Sequence, residues 1–324
     1  MRLATHAMGT RFELLLAGGD EELLRAAGEE VIELIEDAHR RLTRFERGSV
    51  VSEINAAAGV GAVRADNEVF DLLSRCERYR VDSGGAFDVV FSSPVANGGG
   101  AERSEAEGVP PRSSAATGED PLRPASGRPP PQSVTGEENV NQRLVLDRPR
   151  RQVMLLQGGS FVDLGGVAKG FALDLAVGAL RAAGVGSALL HGGSSTIVAI
   201  GGPPDADAWS VAFADDGRSP VARLRDLALS VSSQRGDRPD HVIDPATGRP
   251  ARAAAWAACL GPSAEATDAW STALVVLGRR SDACPTGLTT VLRPPSGTTL
   301  PGRAGWDVRG PDANALHWPH DGET

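Results

Sequence analysis

The chain has 324 residues, of which 41% are hydrophobic, and it carries a formal net charge of −9. A chain of this size and composition can bury a substantial core, either as one large domain or as two lobes. The acidic balance argues against nucleic acid or an anionic membrane as the main partner, because both require a basic face. No run of about eighteen apolar residues is present, so the sequence predicts no membrane-spanning helix.

The start of the chain and its cysteines favour a reducing compartment. Residues 1–6 lack the apolar core of a signal peptide and contain no cysteine for a lipid anchor, so we expect a cytoplasmic location. The three cysteines, Cys76, Cys259 and Cys284, are odd in number and far apart. This pattern predicts reduced, buried thiols rather than a disulfide framework or a zinc site.

The N-terminal part of the chain alternates between strand and helix patterns. Residues 8–17 alternate polar and apolar side chains as a strand does. Residues 21–44 repeat apolar side chains at helical spacing, with acidic residues early and basic residues late, as the helix dipole favours. A short capped turn of helix is predicted at 49–55 and a second amphipathic helix at 67–82, ended by a Ser-Gly-Gly turn.

Between residues 97 and 141 the periodicity vanishes. Glycine and proline clusters stand there among Ser, Glu and Arg, so the segment cannot bury enough surface to offset the entropy lost on ordering. We expect a disordered Pro/Gly/Ser-rich insert at 97–141, within one domain made of 1–96 and 142–324 that ends in an irregular tail. A proline-rich ligand for an adaptor domain is the alternative for the insert. The core resumes with a predicted hairpin at 143–156.

The first candidate binding segment consists of a strand, a glycine turn and a helix. The strand ends at 162–164, Gly165 and Gly166 let the backbone turn, and 168–183 has a helical pattern. This arrangement directs backbone N–H groups at one point, where an anion is stabilised, and Lys169 adds a cation there. The alternative is a tight turn with a solvated lysine.

A second apolar strand breaks into glycines at 188–195, which reads ALLHGGSS. It follows the predicted helix in the order expected if both glycine turns line one cleft. We expect His191 in this segment to be structural rather than catalytic.

A third segment carries oxygen ligands that suit a metal. If 264–277 is a helix, the four-residue spacing places Asp268 and Thr272 on one face. A carboxylate with a hydroxyl suits Mg²⁺ shared with substrate phosphates. The alternative is an Asp that caps its helix and a Thr bonded to its own backbone.

The most specific segment is 241–248, which reads HVIDPATG. Its first residues predict a short strand, and the rest has the residue types of a turn. His241 is therefore expected at a strand edge beside the cleft. A histidine hydrogen-bonded in the core is the alternative.

These segments, in this order and with an opening AMGTRFE at 7–13, resemble the ApbE family, the Mg-dependent FAD:protein FMN transferases. The resemblance runs from about Met8 to about Leu277, interrupted by the insert. It implies an α+β fold with mixed, largely antiparallel sheets, flanking helices and two lobes around a central cleft. The implied reaction cleaves FAD and attaches FMN to a Thr or Ser hydroxyl of an acceptor protein, with release of AMP. A Mg-dependent FAD pyrophosphatase and a non-catalytic flavin-binding protein stay open as alternatives.

The resemblance also implies roles for individual residues. Mg²⁺ ligands are implied at the main-chain carbonyl of Ala168 and the side chains of Asp268 and Thr272. Lys169 is expected to supply positive charge, and His241 to assist proton transfer from the acceptor hydroxyl. The residues implied to bind FAD are Met8, Gly9, Asn55, Ala86, Phe87, Asp88, Gly165, Gly166, Gly192, Gly193, Ser194, Ser195, Ser232, Ser233, His241 and Ile243.

Two of these assignments have structural alternatives, and two segments depart from the family pattern. The Met8-Gly9 pair is also explained by the start of an edge strand, and Asn55 by a helix cap. The second glycine turn has Ser-Ser where the family has an acid after Gly-Gly. Residues 230–234 read SVSSQ in the place of the family's Thr-Ser-Gly-Asp.

Overall fold

The computed structural model describes residues 1–92, 143–213, 219–234, 241–293 and 306–318. The insert expected at 97–141 lies outside these residues. The described helices are α1 Glu21–Leu42, α2 Val50–Ala56, α3 Asn67–Asp82, α4 Ala168–Ala182 and α5 Ala264–Leu277. The described strands are β1 Arg2–Ala7, β2 Thr10–Ala17, β3 Val63–Arg64, β4 Val90–Ser92, β5 Leu144–Asp147, β6 Gln152–Leu155, β7 Ser160–Val162, β8 Ser187–Gly192, β9 Thr196–Ile200, β10 Trp209–Ala212, β11 Val221–Leu224, β12 Ala228–Ser233, β13 Ile243–Asp244, β14 Arg249–Pro250, β15 Trp256–Gly261, β16 Thr289–Arg293, β17 Asp307–Arg309 and β18 Leu316–His317.

An eight-stranded sheet in the order β1-β2-β8-β9-β12-β15-β16-β17 organises the molecule. Its pairings are all antiparallel, as are those of the smaller sheets β10-β11-β18, β3-β6-β5, β4-β7 and β13-β14. The α+β class with antiparallel sheets and flanking helices is thereby confirmed.

Two hydrophobic cores lie on opposite faces of the large sheet. Successive side chains of a strand point to opposite faces, so Leu190 joins one core and its neighbour Leu189 the other. The first core includes the buried faces of all five helices. The second includes Trp306 and Leu316 and packs the small β10-β11-β18 sheet against the other face.

The helices follow local signals closely. Asp20 caps α1 by accepting from the backbone N–H groups of Glu22 and Leu23, and Ser49 caps α2. The predicted bounds 67–82 and 264–277 match α3 and α5 to the residue, and the predicted hairpin at 143–156 is formed by β5 and β6. The three cysteines are buried and unpaired, as predicted. Within the described ranges, no helix is long and apolar enough to cross a membrane.

The start of the chain differs from the prediction of one strand over 8–17. Residues Met8 and Gly9 form the turn of a β1–β2 hairpin, with φ of 52° and 70°. Positive φ at both central residues is typical of the two-residue turns that match strand twist. The sequence did not reveal β1 because five of its six residues are Arg, Ala, Thr or His, which weakens the alternating pattern. The tail is also more regular than expected, since β17 pairs with β16 and β18 with β11.

Candidate functional site

Asp268 on α5 is the centre of a buried polar cluster. Its residue surface is 3% exposed. One carboxylate oxygen accepts hydrogen bonds from the Lys169 ammonium at 3.3 Å and from the Gly170 backbone N–H at 3.2 Å, and the other accepts from the Ser230 hydroxyl at 3.2 Å. A negative charge is therefore held at the start of α4 by one cation and two neutral donors, which offset the cost of its burial.

Hydroxyl groups extend this cluster along α5 and β12. The Thr272 and Ser271 hydroxyls donate to the Asp268 main-chain carbonyl at 3.1 and 3.0 Å. The Ser232 hydroxyl lies 2.8 Å from that of Ser271 and 3.4 Å from that of Thr272. Asp268 and Thr272 thus share one helix face, as predicted from their spacing. The Thr alternative, a bond to its own backbone, is also correct, whereas the capping alternative for Asp268 is wrong because Ser263 caps α5.

The donor set suits a hard cation. In the described part of the chain, no group of three His, Cys, Asp or Glu side chains could hold a metal ion. Thr272 uses its hydroxyl hydrogen in the bond to Asp268, so its oxygen lone pairs stay available to a cation. Ala168 is the first residue of α4, beside Lys169. One carboxylate, one hydroxyl and one carbonyl fit Mg²⁺ when phosphate oxygens complete its shell.

The first glycine turn connects β7 to α4 and contacts Lys169. The Asp163 carboxylate accepts from the Gly165 N–H at 2.9 Å, and its other oxygen pairs with Arg44 at 2.9 Å. The Lys169 ammonium donates to the Gly165 carbonyl at 3.3 Å. Gly166 faces α5, since a Cβ there would lie 3.4 Å from the Thr272 hydroxyl. The turn therefore lies directly beside the Thr272 hydroxyl and the Lys169 ammonium.

Phe87 lies on the same glycine, because a Cβ on Gly166 would be 3.4 Å from its ring. The ring is buried and makes an edge contact with Tyr79, with centroids 6.0 Å apart. Its neighbour Asp88 forms an ion pair with Arg143, and burial is the main cause that raises the pKa of its carboxyl group. Ala86 is also buried.

Asn55 binds backbone rather than capping a helix. Its side-chain amide donates to the Val162 carbonyl at 3.0 Å and accepts from the Val162 N–H at 2.6 Å. These two bonds fasten α2 to the end of β7, one residue before Asp163. The helix-cap alternative is wrong because Ser49 caps α2. Asn55 therefore orients the first glycine turn.

The second glycine turn packs between Lys169 and the first hairpin. A Cβ on Gly192 would lie 3.4 Å from the Lys169 Cβ, and the Gly193 N–H donates to the Arg11 carbonyl at 3.0 Å. Next to Arg11 on this hairpin, Thr10 lies so close to Gly193 that a Cβ there would meet its hydroxyl. Both glycine turns consequently contact Lys169, as expected if they line one cleft.

The residues flanking this turn have different environments. Ser194 is exposed, whereas the Ser195 carbonyl accepts from the Val231 N–H at 2.7 Å. His191 is half-buried on β8 opposite Glu13, and burial is the main cause that lowers the pKa of its imidazole. The backbone N–H of Met8 donates to His39 at 3.2 Å.

His241 is exposed and lies two residues before the start of β13. Its neighbour Val242 is held by the buried Gln234 side chain, which donates to the Val242 carbonyl at 2.5 Å and accepts from its N–H at 3.3 Å. Gln234 directly follows β12, the strand that carries Ser232 and Ser233. The His241 segment, including half-buried Ile243, is therefore fastened to the end of the strand that contacts α5. The core-histidine alternative is wrong because the side chain lies at the surface.

Sequence reasoning missed two charged groups beside the cluster. Asp174 is the one charged residue in the apolar run 170–180 of α4, and burial is the main cause that raises the pKa of its carboxyl group. Glu265 is buried at the start of α5, with two bonds of 2.7 Å from Arg75 and one of 3.1 Å from Tyr79. The available signal for Asp174 was a single acidic residue in an apolar helix. Its partners, residues 263–265, lie 89 to 91 residues further along the chain.

The sequence is similar to a known protein family. A sequence model of the ApbE family matches residues 8–284. The FAD:protein FMN transferase of Treponema pallidum is 30% identical over 277 residues, which cover 79% of this chain and 72% of that protein. That of Klebsiella pneumoniae is 25% identical over 285 residues, covering 84% and 77%.

Solved structures share the fold. The flavin transferase ApbE of Vibrio cholerae superposes with a TM-score of 0.69 at 18% identity, covering 95% of this chain and 96% of that one. The ApbE protein of Thermotoga maritima superposes with a TM-score of 0.68 at 20% identity, covering 92% and 95%. At identities of 18% and 20%, this similarity shows a shared fold alone.

Proposed function

Because the chain belongs to the ApbE family, we propose that it is an FAD:protein FMN transferase, which moves FMN from FAD to an acceptor protein. We further propose that the acceptor group is a Thr or Ser hydroxyl and that AMP is released. In this reaction the hydroxyl oxygen forms a bond to the phosphorus of the FMN half. The bond from that phosphorus to the bridging oxygen breaks, and the oxygen leaves with AMP.

The meeting of both glycine turns with α5 around Lys169 carries this proposal. The Lys169 ammonium contacts the Gly165 carbonyl and the Asp268 carboxylate, and Gly192 packs against the Cβ of Lys169. An ammonium beside the positive end of a helix dipole stabilises phosphate oxygens and the charge that develops on them. A pyrophosphate in this place would be held by groups from three segments.

Three residues at this place would hold Mg²⁺: Ala168 through its carbonyl, Asp268 and Thr272. A bound Mg²⁺ neutralises charge on phosphate oxygens and polarises them towards attack. The protein positions the ligands in advance, since the Gly170 N–H and the Ser230 hydroxyl orient the Asp268 carboxylate. The Thr272 hydroxyl is oriented by the Asp268 carbonyl.

His241 would accept the proton of the acceptor hydroxyl. Its exposed position suits this task, because a protein acceptor must approach from solvent. The hydrogen bonds of Gln234 to Val242 hold the backbone next to His241 at the end of β12, which restricts the position of the imidazole. General bases of this kind typically contribute a factor of about 10²–10⁴ to the rate.

Product analysis tests the proposal. The protein is incubated with FAD, Mg²⁺ and an acceptor protein with a Thr or Ser flavinylation site, and AMP and acceptor mass are measured. AMP together with an acceptor that gains the mass of FMN is the expected result. AMP and free FMN without acceptor modification would identify a pyrophosphatase, and binding of FAD without AMP would identify a flavin-binding protein. Asp147→Asn, at the end of β5 beside the exposed turn of the β5–β6 hairpin, is a control that should leave product formation unchanged.

A further inference from the structure

Asp174 joins α4 to the start of α5. It lies in an otherwise apolar stretch of α4, and its carboxylate accepts three hydrogen bonds from α5. The donors are the Ser263 hydroxyl at 2.7 Å, the Ala264 N–H at 2.8 Å and the Glu265 N–H at 3.0 Å. Two of these are backbone groups that have no partner within their own helix.

The opposite connection runs from α5 to α4. The first intrahelical bond of α4 is from Phe171 to Val167, so the Gly170 N–H has no acceptor within its helix. It donates instead to the Asp268 carboxylate at 3.2 Å. Each helix therefore supplies a carboxylate to the unpaired backbone donors at the start of the other.

The two connections lie one helical turn apart. Gly170 and Asp174 are four residues apart on α4, as are Ala264 and Asp268 on α5. Gly170 pairs with Asp268, and Asp174 pairs with Ala264. The two helices thus run in opposite directions here, with about 6 Å along the axis between the connections. A Cβ on Gly170 would overlap the Ala264 carbonyl, so the backbones are in direct contact between them.

We propose that Asp174 is a positioning residue for Asp268. Its three bonds hold α5 at one axial position along α4, and that position keeps the Asp268 carboxylate within reach of Lys169 and the Gly170 N–H. A slide of α5 by one residue would move Asp268 by about 1.5 Å. Misplacement of a reacting group by about 1 Å can lower a rate by about 10²-fold.

Asp174→Asn tests this inference with little change in volume. The amide has one acceptor oxygen, and its NH₂ group would face a donor from α5, so the axial constraint weakens. We expect hydrogen exchange of the Gly170 amide, followed by NMR, to become at least about tenfold faster, because its one partner is Asp268. The kcat for FAD cleavage should fall about 10- to 100-fold while KM for FAD changes little.

The matched control is Asp66→Asn. Asp66 is also a carboxylate that caps a helix, since it accepts from the Val69 N–H at the start of α3. Its replacement should lower thermal stability but leave Gly170 exchange and kcat unchanged. If Asp174→Asn does not fold, Ser263→Ala, which removes one of the three bonds and the N-cap of α5, is measured in the same way.

Wild-type Gly170 exchange and wild-type kcat in a folded Asp174→Asn variant would overturn the inference. The kinetic part rests on the proposed function, whereas the exchange measurement does not. If the wild-type protein fails to cleave FAD, the proposed function is wrong, and Gly170 exchange still decides whether Asp174 holds Asp268 in place.

Discussion

Replacing Asp268 separates its charge from its structural contacts. Asp268→Ala would leave the Lys169 ammonium, the Gly170 N–H and the Ser230 hydroxyl without their acceptor. Removing one partner of a buried ion pair typically costs about 3–5 kcal/mol. The Lys169 side chain keeps 18% exposure, so we expect a loss near the lower end of that range. An inactive Ala variant would therefore not distinguish a lost ligand from a loosened fold.

Asp268→Asn is the sharper perturbation. Its amide oxygen can accept from Lys169 and Gly170, while its NH₂ group can donate to the Ser230 hydroxyl, which also has lone pairs. All neighbours stay paired and only the charge is lost. We expect the free energy of unfolding to fall by about 1 kcal/mol, and the rate of AMP release from FAD to fall by about 10²- to 10³-fold, as for removal of one strong electrostatic contact.

The assay measures AMP release at saturating FAD and Mg²⁺, together with thermal unfolding of the same preparation. Glu77→Gln, which removes a carboxylate paired with Arg80 on α3, is the control and should keep the wild-type rate. A folded Asp268→Asn variant that releases AMP within about threefold of the wild-type rate would refute the role of the charge.

Three further changes test the packing, the proton transfer and the pH dependence. Gly170→Ala should lower the free energy of unfolding by about 1–3 kcal/mol, because its Cβ would overlap the Ala264 carbonyl. Gly178→Ala is the control, because its Cβ would have open space around it, and equal melting temperatures of the two variants would contradict the prediction. His241→Ala should slow FMN transfer about 10²- to 10⁴-fold with FAD affinity nearly unchanged, and an equal loss of affinity and rate would make it a binding residue. Burial lowers the pKa of His191, so below about pH 6.5 the unfolded chain binds more protons than the folded protein, and stability should fall as pH falls. Thermal unfolding of His191→Gln at several pH values should show a weaker pH dependence, and an unchanged dependence would exclude His191 as its source.

Local patterns in the sequence were sufficient for the described α-helices and for several of the strands. The bounds of α3 and α5 follow from apolar spacing and from the capping residues directly before them, Asp66 and Ser263. The shared face of Asp268 and Thr272 follows from helix geometry alone. The β1–β2 turn at Met8 was missed because a short strand of mixed composition lacks a clear two-residue period, and pairing with its neighbour decides it.

The sequence by itself therefore determined the family, the described helices and the segments expected to carry the chemistry. Only the tertiary structure decided which side chains meet. Asp268 binds Gly170, 98 residues away, and Ser230, 38 residues away. These pairings result from packing α4, α5 and β12 against one core, with backbones in direct contact at Gly170. A local pattern shows that a residue is polar within an apolar helix, as for Asp174, but its partner depends on contacts made far along the chain.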